Sequence, residues 1–323
     1  MNINSRLFRV ISTVLTILVI VEGALCIFSN YPRIDYTEGL NSFYNEEENS
    51  LDYVVIGSSA TLRGIAPHII ENKYGLKGCN ISIIGASPEL YLEVLEEVIK
   101  YQKNPLIIVD MDEFVAKPDD AGIEAEKYWL NLKKRDNQWL SSVLLKDNNA
   151  VEYLFPIIKY HKNITRFYTS IKTSYKGLKM KMFNDTNPLK GTKLEKGIHV
   201  NKFDKVYSGQ YKERTIEDYN RQELISFLES CKNNNISNVV FVNCPKLFSD
   251  DFSDFIEEME ITSNYYSPII ESYGYDYFSY SKTDNILGLT HEDFFDTFHL
   301  NESGANKFSQ YLGKYILLKN FKS

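Results

Sequence analysis

The chain has 323 residues, of which 43% are hydrophobic and 14% aromatic, so it can bury a sizeable core. A formal net charge of −7 and the lack of a recognition motif argue against a nucleic-acid partner. The 4 cysteines are widely scattered, which excludes a disulfide scaffold, and no pair has metal-ligand spacing. The sequence therefore predicts neither a metal nor a cofactor.

The N-terminus has the pattern of a membrane anchor. Arg6 and Arg9 precede an apolar run that continues to Phe28, which is about the length needed to cross a bilayer. Basic residues before such a run predict a cytoplasmic stub and a single-pass anchor at residues 1–28, with the rest of the chain extracytoplasmic. A cleaved signal peptide is the alternative, although no small-x-small cleavage site ends the run. Residues 29–50 are polar and predict a linker.

Beyond the linker, short apolar runs alternate with stretches of helical periodicity. Strands are predicted near residues 52–56, 79–84, 106–109, 239–242 and 276–278. Helices are predicted at residues 61–74, 89–101, 216–233 and 252–273, and Asn301 can cap a final helix. This alternation predicts an α/β fold, a three-layer α/β/α sandwich around a mainly parallel five-stranded sheet.

The alternation stops after Phe114 and resumes near residue 216. Residues 115–214 are rich in Tyr, Lys and Asn, and between residues 157 and 214 basic residues far outnumber acidic ones although the whole chain is acidic. The pattern predicts a basic insertion within one domain at residues 51–323. Its charge is either an ordinary solvated face or a surface that attracts anionic glycopolymer or lipid headgroups.

Three short stretches near predicted strand or helix ends carry candidate chemistry. A tight Gly-Ser-Ser turn ending in Ser59 follows the first strand, Gly85 follows the second, and Asp296 and His299 precede the last helix. An imidazole that deprotonates a hydroxyl, oriented by a carboxylate, makes a Ser-His-Asp site. Each stretch also has a structural alternative: Ser59 as a helix cap, Gly85 as a turn glycine, and Asp296 and His299 as loop residues.

In this order the stretches resemble the SGNH (GDSL-like) hydrolase superfamily, in particular its membrane-anchored DltD-like and polysaccharide O-acetylation members. The resemblance covers roughly residues 51–318 and leaves the insertion unmatched. It implies that Ser59 is the nucleophile, His299 the base and Asp296 its orienting acid. It also implies an oxyanion hole formed by the backbone N–H groups of Ser59 and Gly85.

One position departs from that family. The family carries Gly-x-Asn-Asp after its third strand, where the Asn side chain donates a second hydrogen bond to the oxyanion. Here the run is Asp110-Met111-Asp112-Glu113, so Asp112 stands at the Asn position. An ionised carboxylate accepts and cannot donate. Either Asp112 is protonated, or the second donor comes from the backbone, or the site is altered.

The sequence thus predicts a membrane-anchored extracytoplasmic esterase or O-acyltransferase that acts through an acyl-serine on cell-envelope or exported polysaccharide. The expected partners are an acyl ester, a glycan or glycopolymer, the membrane and, from the resemblance alone, a membrane-bound O-acyltransferase. One alternative is a binding or assembly protein of a cell-envelope acylation system whose catalysis is impaired. Another is an unrelated anchored α/β domain with accidental motifs. Hydrolysis and transfer share the acyl-enzyme, so the sequence does not separate them.

Overall fold

The computed structural model describes residues 3–29, 34–115, 188–198, 218–247, 253–280 and 287–320. The chain divides into two compact units, one formed by Met1–Thr37 with Tyr128–Asp185 and the other by Glu38–Lys127 with Thr186–Ser323. The described part of the first unit is helix α1 (Ile3–Ser29) and the beginning of α2 (Ile34–Asn45), a helix that continues into the second unit.

No helix among these described ranges is both long enough and apolar enough to span a membrane. The anchor predicted at residues 1–28 is therefore not supported by the structure and stays a prediction from the sequence. Most of the insertion predicted at residues 115–214 lies outside the described residues.

The second unit is built on a five-stranded parallel sheet, as the alternation predicts. Its strands are β1 (Tyr53–Ile56), β2 (Gly78–Asn80), β3 (Leu106–Asp110), β4 (Val239–Asn243) and β5 (Asp276–Ser279). They lie in the order β2-β1-β3-β4-β5, with every neighbouring pair parallel. The chain moves outward from β1 to β2 and then returns to the other side of β1. The β1/β3 boundary is therefore the switch point, where open α/β sheets place ligands.

Helices cover both faces of this sheet. They are α3 (Ser59–Gly64), α4 (Pro67–Tyr74), α5 (Pro88–Tyr101), α6 (Asp112–Val115), α7 (Asp218–Asn233), α8 (Ser253–Ser272) and α9 (Glu302–Asn320). Helix α9 packs against α3 and α4, and α7 packs against α5. The second unit thus has the three layers that the sequence predicts.

Alternate side chains of the central strands supply the two cores. Val55 and Ile108 join the core that includes Phe308 of α9. On the opposite face, Phe241 meets Phe227 of α7 edge to face, with ring centroids 5.9 Å apart. Strands β1, β3 and β4 are buried along their whole length, which explains why they appear in the sequence as nearly continuous apolar runs.

The helix predicted at residues 61–74 is in fact two helices, α3 and α4. Proline lacks an N–H group and pushes the residue before it out of the helical region. Ala66, which precedes Pro67, accordingly has extended backbone angles (φ −112°, ψ 94°). Helix α3 is short and begins earlier than predicted, so Ser59 occupies its first position directly after β1.

The predicted linker at residues 29–50 also differs in the structure. Leu40 and Phe43 of α2 are only 3% and 1% exposed, and the Phe43 ring packs edge to face on Tyr101 with centroids 6.0 Å apart. Two apolar residues three positions apart lie on the same face of a helix. The mainly polar composition of residues 29–50 does not indicate this buried face. The C-terminal part of this segment is therefore packed into the second unit.

Candidate active site

Three side chains form a hydrogen-bonded chain beside the carboxyl ends of the strands. Ser59 Oγ lies 2.8 Å from His299 Nε2, and His299 Nδ1 lies 2.8 Å from each carboxylate oxygen of Asp296. The geometry fits the tautomer in which Nδ1–H donates to Asp296 and Nε2 accepts from the serine hydroxyl. A hydroxyl held in this way can lose its proton to the imidazole as its oxygen attacks an electrophile.

The turn from β1 into α3 positions Ser59. Ser58 is the N-cap residue of α3, and Ser59 is the first residue inside the helix, where a backbone N–H has no intrahelical partner. Gly57 permits the tight passage, since a Cβ atom there would lie 2.1 Å from Thr61 Oγ1 and 2.6 Å from Asp110 Cβ. Close packing, rather than an unusual backbone angle, therefore requires glycine at this position.

The loop before α9 positions the other two residues. One carboxylate oxygen of Asp296 accepts the backbone N–H groups of Phe298 at 2.8 Å and His299 at 2.9 Å, an Asx-type turn that fixes the carboxylate beside the ring. Asn301 then caps α9, because its carboxamide oxygen accepts the Ser303 N–H at 2.9 Å. The loop is thus tied to the start of a long helix.

Burial and charge set the protonation of the pair. Burial tends to raise the pKa of Asp296, but its hydrogen bond to His299 and the charge of that ring outweigh burial and lower the pKa. Burial lowers the pKa of His299; the bond to Asp296 opposes this, while the charges of Arg63 and Lys246 lower the pKa further. The imidazole is therefore neutral near pH 7, which is the form that a general base must have.

Arg63 lies one helical turn beyond Ser59 and shares its side of α3. Its Nε donates to Glu195 Oε1 at 3.1 Å, and the same oxygen lies 3.3 Å from Lys193 Nζ. The Lys193 N–H in turn donates to the Leu62 carbonyl at 3.0 Å. A described piece of the predicted insertion thus borders the helix that carries Ser59.

The Asp112 side chain, which stands at the family's Asn position, pairs with two other polar side chains. One of its carboxylate oxygens accepts from Asn243 Nδ2 at 3.0 Å, and the other accepts from Lys246 Nζ. Both oxygens therefore act as acceptors. The structure brings Ser59, Asp296 and His299 together, whereas the Asp112 side chain pairs with other groups.

Gly85 lies in the turn between β2 and α5. Its backbone has a φ of 66°, in the left-handed region that favours glycine, and it is partly exposed. A turn glycine is therefore required at this position for conformational reasons alone. The donation of its N–H to an oxyanion stays a prediction.

Two buried charged residues beside the site were not among the predicted site residues. Asp110 is fully buried at the end of β3, and burial followed by the nearby charge of Asp112 raises the pKa of Asp110 to about 7. Lys246 is 2% exposed; burial tends to lower the pKa of Lys246, but neighbouring charges, chiefly Asp112, outweigh burial and raise it. A charged residue at or just after an apolar strand is the signal that could have found both, because strand ends meet at one edge of the sheet.

Neither the family models nor the curated proteins give a match to this chain. Among solved structures, a Streptococcus pneumonia protein provisionally described as a platelet activating factor has 12% identity and a TM-score of 0.42, over 95% of this chain and 98% of that one. A family two carbohydrate esterase from Clostridium thermocellum, in complex with cellohexaose, has 9% identity and a TM-score of 0.35, over 85% of this chain and 66% of that one. An active-site mutant of a family two carbohydrate esterase from the same organism gives the same values. At these identities and TM-scores, the likenesses carry no argument about this chain.

Proposed function

We propose that this protein is a serine esterase or O-acyltransferase of the SGNH type, with Ser59 as nucleophile, His299 as general base and Asp296 as the orienting acid. One observation carries the proposal, namely the two consecutive 2.8 Å contacts from Ser59 Oγ through the His299 ring to Asp296. A helix cap does not account for Ser59, because Ser58 already occupies the N-cap position of α3.

In the acylation step, Ser59 Oγ attacks the carbonyl carbon of an ester while its proton passes to His299 Nε2. Asp296 stabilises the imidazolium that forms and keeps its Nδ1–H directed inward. When the tetrahedral intermediate collapses, the ester C–O bond breaks and the departing alkoxide takes the proton from Nε2. The products of this step are an alcohol and an acyl-Ser59 ester.

The second step consumes the acyl-serine. His299 takes a proton from water or from a glycan hydroxyl, and that oxygen attacks the acyl carbon. Collapse returns the proton to Ser59 Oγ, releasing a carboxylic acid in hydrolysis or a new ester in transfer. The two reactions differ only in the acceptor, so the same residues serve both.

The oxyanion is proposed to form against backbone donors. The Ser59 N–H is at the first position of α3, where helices leave N–H groups without intrahelical partners. The Gly85 N–H is the second proposed donor. Asp112 pairs with Lys246 and does not supply the side-chain donor that the family has at this position. One such donor is worth roughly 10²–10³-fold in turnover. We therefore expect modest rates on generic esters.

The proposed substrate is an O-acylated glycan of the cell envelope or an exported polysaccharide. Support for this class comes from the sequence, through the basic composition of residues 115–214 and the family resemblance. The proposal also includes an extracytoplasmic location, an anchor at residues 1–28 and work beside a membrane-bound O-acyltransferase. Protease added to intact cells tests the location: degradation of the second unit supports it, and full protection contradicts it.

The central experiment exposes the purified full chain to an activated ester such as p-nitrophenyl acetate and follows it by mass spectrometry. We expect a mass increase of one acyl group on the peptide that contains Ser59. Ser59→Ala should abolish the adduct without changing the melting temperature. Ser267→Ala, which removes a hydroxyl on α8 that donates to Glu271 one helical turn away, is the matched control and should be acylated like the parent. Acylation of Ser59→Ala at the parent rate would overturn the proposal.

The pairing of Asp112 favours one second candidate, a binding or assembly protein of a cell-envelope acylation system that has lost efficient catalysis. Such a protein would bind an acylated glycan with an affinity that Ser59→Ala does not change, and it would form no acyl-enzyme. Calorimetry with acylated and deacylated glycan, combined with the mass-spectrometric assay, separates the two functions.

A further inference from the structure

The turn that carries Ser59 is hydrogen-bonded to the buried carboxylate of Asp110 at the end of β3. One oxygen of Asp110 accepts the Ser58 N–H at 3.2 Å, the Ser58 hydroxyl at 2.9 Å and Thr61 Oγ1 at 3.3 Å. Its other oxygen accepts the Asp112 N–H at 3.1 Å. A displacement of the turn after β3 would therefore move the backbone beside the nucleophile.

The loop that carries His299 is held by the turn after β4. The Leu247 N–H donates to the Thr297 carbonyl at 2.9 Å, and Lys246 Nζ lies 3.4 Å from the Phe298 carbonyl. Both acceptors directly precede His299 in the chain. The position of the imidazole thus depends on where the turn after β4 lies.

Asp112 links the turn after β3 to the turn after β4. It accepts from Lys246 Nζ with one oxygen and from Asn243 Nδ2 at 3.0 Å with the other. The side chain of Lys246 is 3% exposed and that of Asp112 is 13% exposed. The buried charge of Lys246 requires an ion-pair partner, which is Asp112. Asn243 fixes the orientation of Asp112 by donating to its second carboxylate oxygen.

We propose that Lys246 is a positioning residue that, through Asp112, sets the distance between Ser59 and the His299 ring. The inference rests on the proposed function. The connection runs from Ser58 through the two aspartates to Lys246 and from there to the histidine loop. Stabilisation of the fold is a weak reason for such a pair, because buried ion pairs often stabilise no better than apolar residues of similar size. Alignment of reacting groups is a stronger reason, since a misplacement of about 1 Å can lower a rate by about 10²-fold.

The test compares the full chain with Lys246→Met and with the double variant Lys246→Met/Asp112→Leu, which removes the ion pair without placing an amide donor at position 112. Lys246→Met should slow single-turnover acylation of Ser59 by about 10- to 100-fold, with little change in KM. It should also lower the melting temperature, because Asp112 is left buried without its ion-pair partner. The double variant should recover the melting temperature but not the rate, and it carries the test if Lys246→Met does not fold. Glu97→Gln, a buried carboxylate on α5 bonded to Tyr44 and Lys100, is the matched control and should keep the parent rate.

A second readout needs no turnover. The proton NMR signal of His299 Nδ1–H, assigned by its loss in Asp296→Ala, reports the geometry of the histidine loop. It should shift or broaden in Lys246→Met and in the double variant, and stay unchanged in Glu97→Gln. An unchanged rate and signal in Lys246→Met would overturn the positioning role. Recovery of the rate in the double variant would also overturn it, because Lys246 would then only neutralise Asp112. If the parent itself forms no acyl-enzyme, the proposed function fails, and the NMR signal still decides the positioning role.

Discussion

Ser58 and Ser59 are adjacent serines with different surroundings. The Ser58 hydroxyl donates to the buried Asp110 at 2.9 Å, while Ser59 Oγ lies 2.8 Å from His299 Nε2. The direction of each Cα–Cβ bond at the start of α3 decides which serine points down into the sheet and which points toward the imidazole. A shift of one residue along the chain therefore decides which of the two hydroxyls lies beside the imidazole.

The first residue-scale prediction concerns pH. Burial lowers the pKa of His299 from its ordinary 6.5, and the protonated ring is not a base, so ester turnover should rise with pH. The midpoint of that limb should lie below pH 6.5, and turnover should be nearly constant from about pH 7 to 8.

Asp296→Asn should lower turnover by about 10⁴-fold, since the ring loses the acceptor that fixes its tautomer. Initial rates between about pH 4.5 and 8.5 check both expectations, and a limb centred above the ordinary histidine pKa would contradict the first.

The second residue-scale prediction uses two glycines of the same turn and helix. A Cβ atom at Gly57 would lie 2.1 Å from Thr61 Oγ1, whereas at Gly64 the nearest atom would be Cys244 Sγ at 3.5 Å. Gly57→Ala should therefore destabilise the protein by about 1–3 kcal/mol and slow acylation by displacing the nucleophile turn. Gly64→Ala should be neutral or stabilise by up to ~1 kcal/mol, because alanine favours helix. Urea unfolding measures both, and equal effects of the two substitutions would show that the turn tolerates a side chain.

At the scale of secondary-structure elements, the start points of two helices determine where Ser59 and His299 lie. The break before Pro67 shortens α3 to 6 residues, and this short helix begins on Ser59. At the other side of the site, α9 begins directly after the histidine loop, so its cap also anchors His299. The Asn301 amide donates to the carbonyls of Glu292 at 2.7 Å and Phe294 at 3.3 Å. These bonds connect the helix start to the short 3-10 helix His291–Asp293 and its C-cap residue.

The element-scale prediction removes this cap. Asn301→Ala loses the capping bond, worth about 1 kcal/mol, and leaves the Glu292 carbonyl without its donor, so we expect roughly 2 kcal/mol of destabilisation. Turnover should fall as well, because the loop before α9 loosens. Asn234→Ala removes an exposed asparagine whose side chain, among the described residues, bonds to Ser230 near the end of α7, and its effect should stay within about 0.5 kcal/mol. Thermal melts of both variants provide the measurement, and equal melting temperatures would mean that the cap is dispensable.

At the scale of the whole molecule, the sheet and its two helical layers belong to the second unit, together with all the site residues described above. Leu40 and Phe43 extend that unit toward the N-terminus, beyond the first residue of the predicted domain. The boundary of the folded unit therefore lies within the segment whose composition predicts a linker.

Two truncations test this boundary. A chain that begins at residue 34 keeps all of α2 and should retain the fold and ester acylation. A chain that begins at residue 51 loses the packing of Leu40 and Phe43, each worth roughly 1.5–3 kcal/mol, and should melt at a clearly lower temperature. Circular dichroism melts and the acylation assay compare the two, and identical melting temperatures would return residues 34–50 to the role of a linker.

The sequence by itself determined the parallel sheet and the candidate catalytic residues. Strands such as β1 and β3 are buried on both faces, so their local composition alone identifies them. Ser59, Asp296 and His299 stand at turn positions whose order along the chain carries the family resemblance. The tertiary structure alone decided the partners of Asp112, the contacts of Asp110 and Lys246, and the burial of Leu40 and Phe43. Each of these depends on contacts between residues far apart in the chain, such as the 134 positions that separate Asp112 from Lys246. Buried polar groups take the partner that the packed fold brings within hydrogen-bond distance, and no local periodicity records which partner that is.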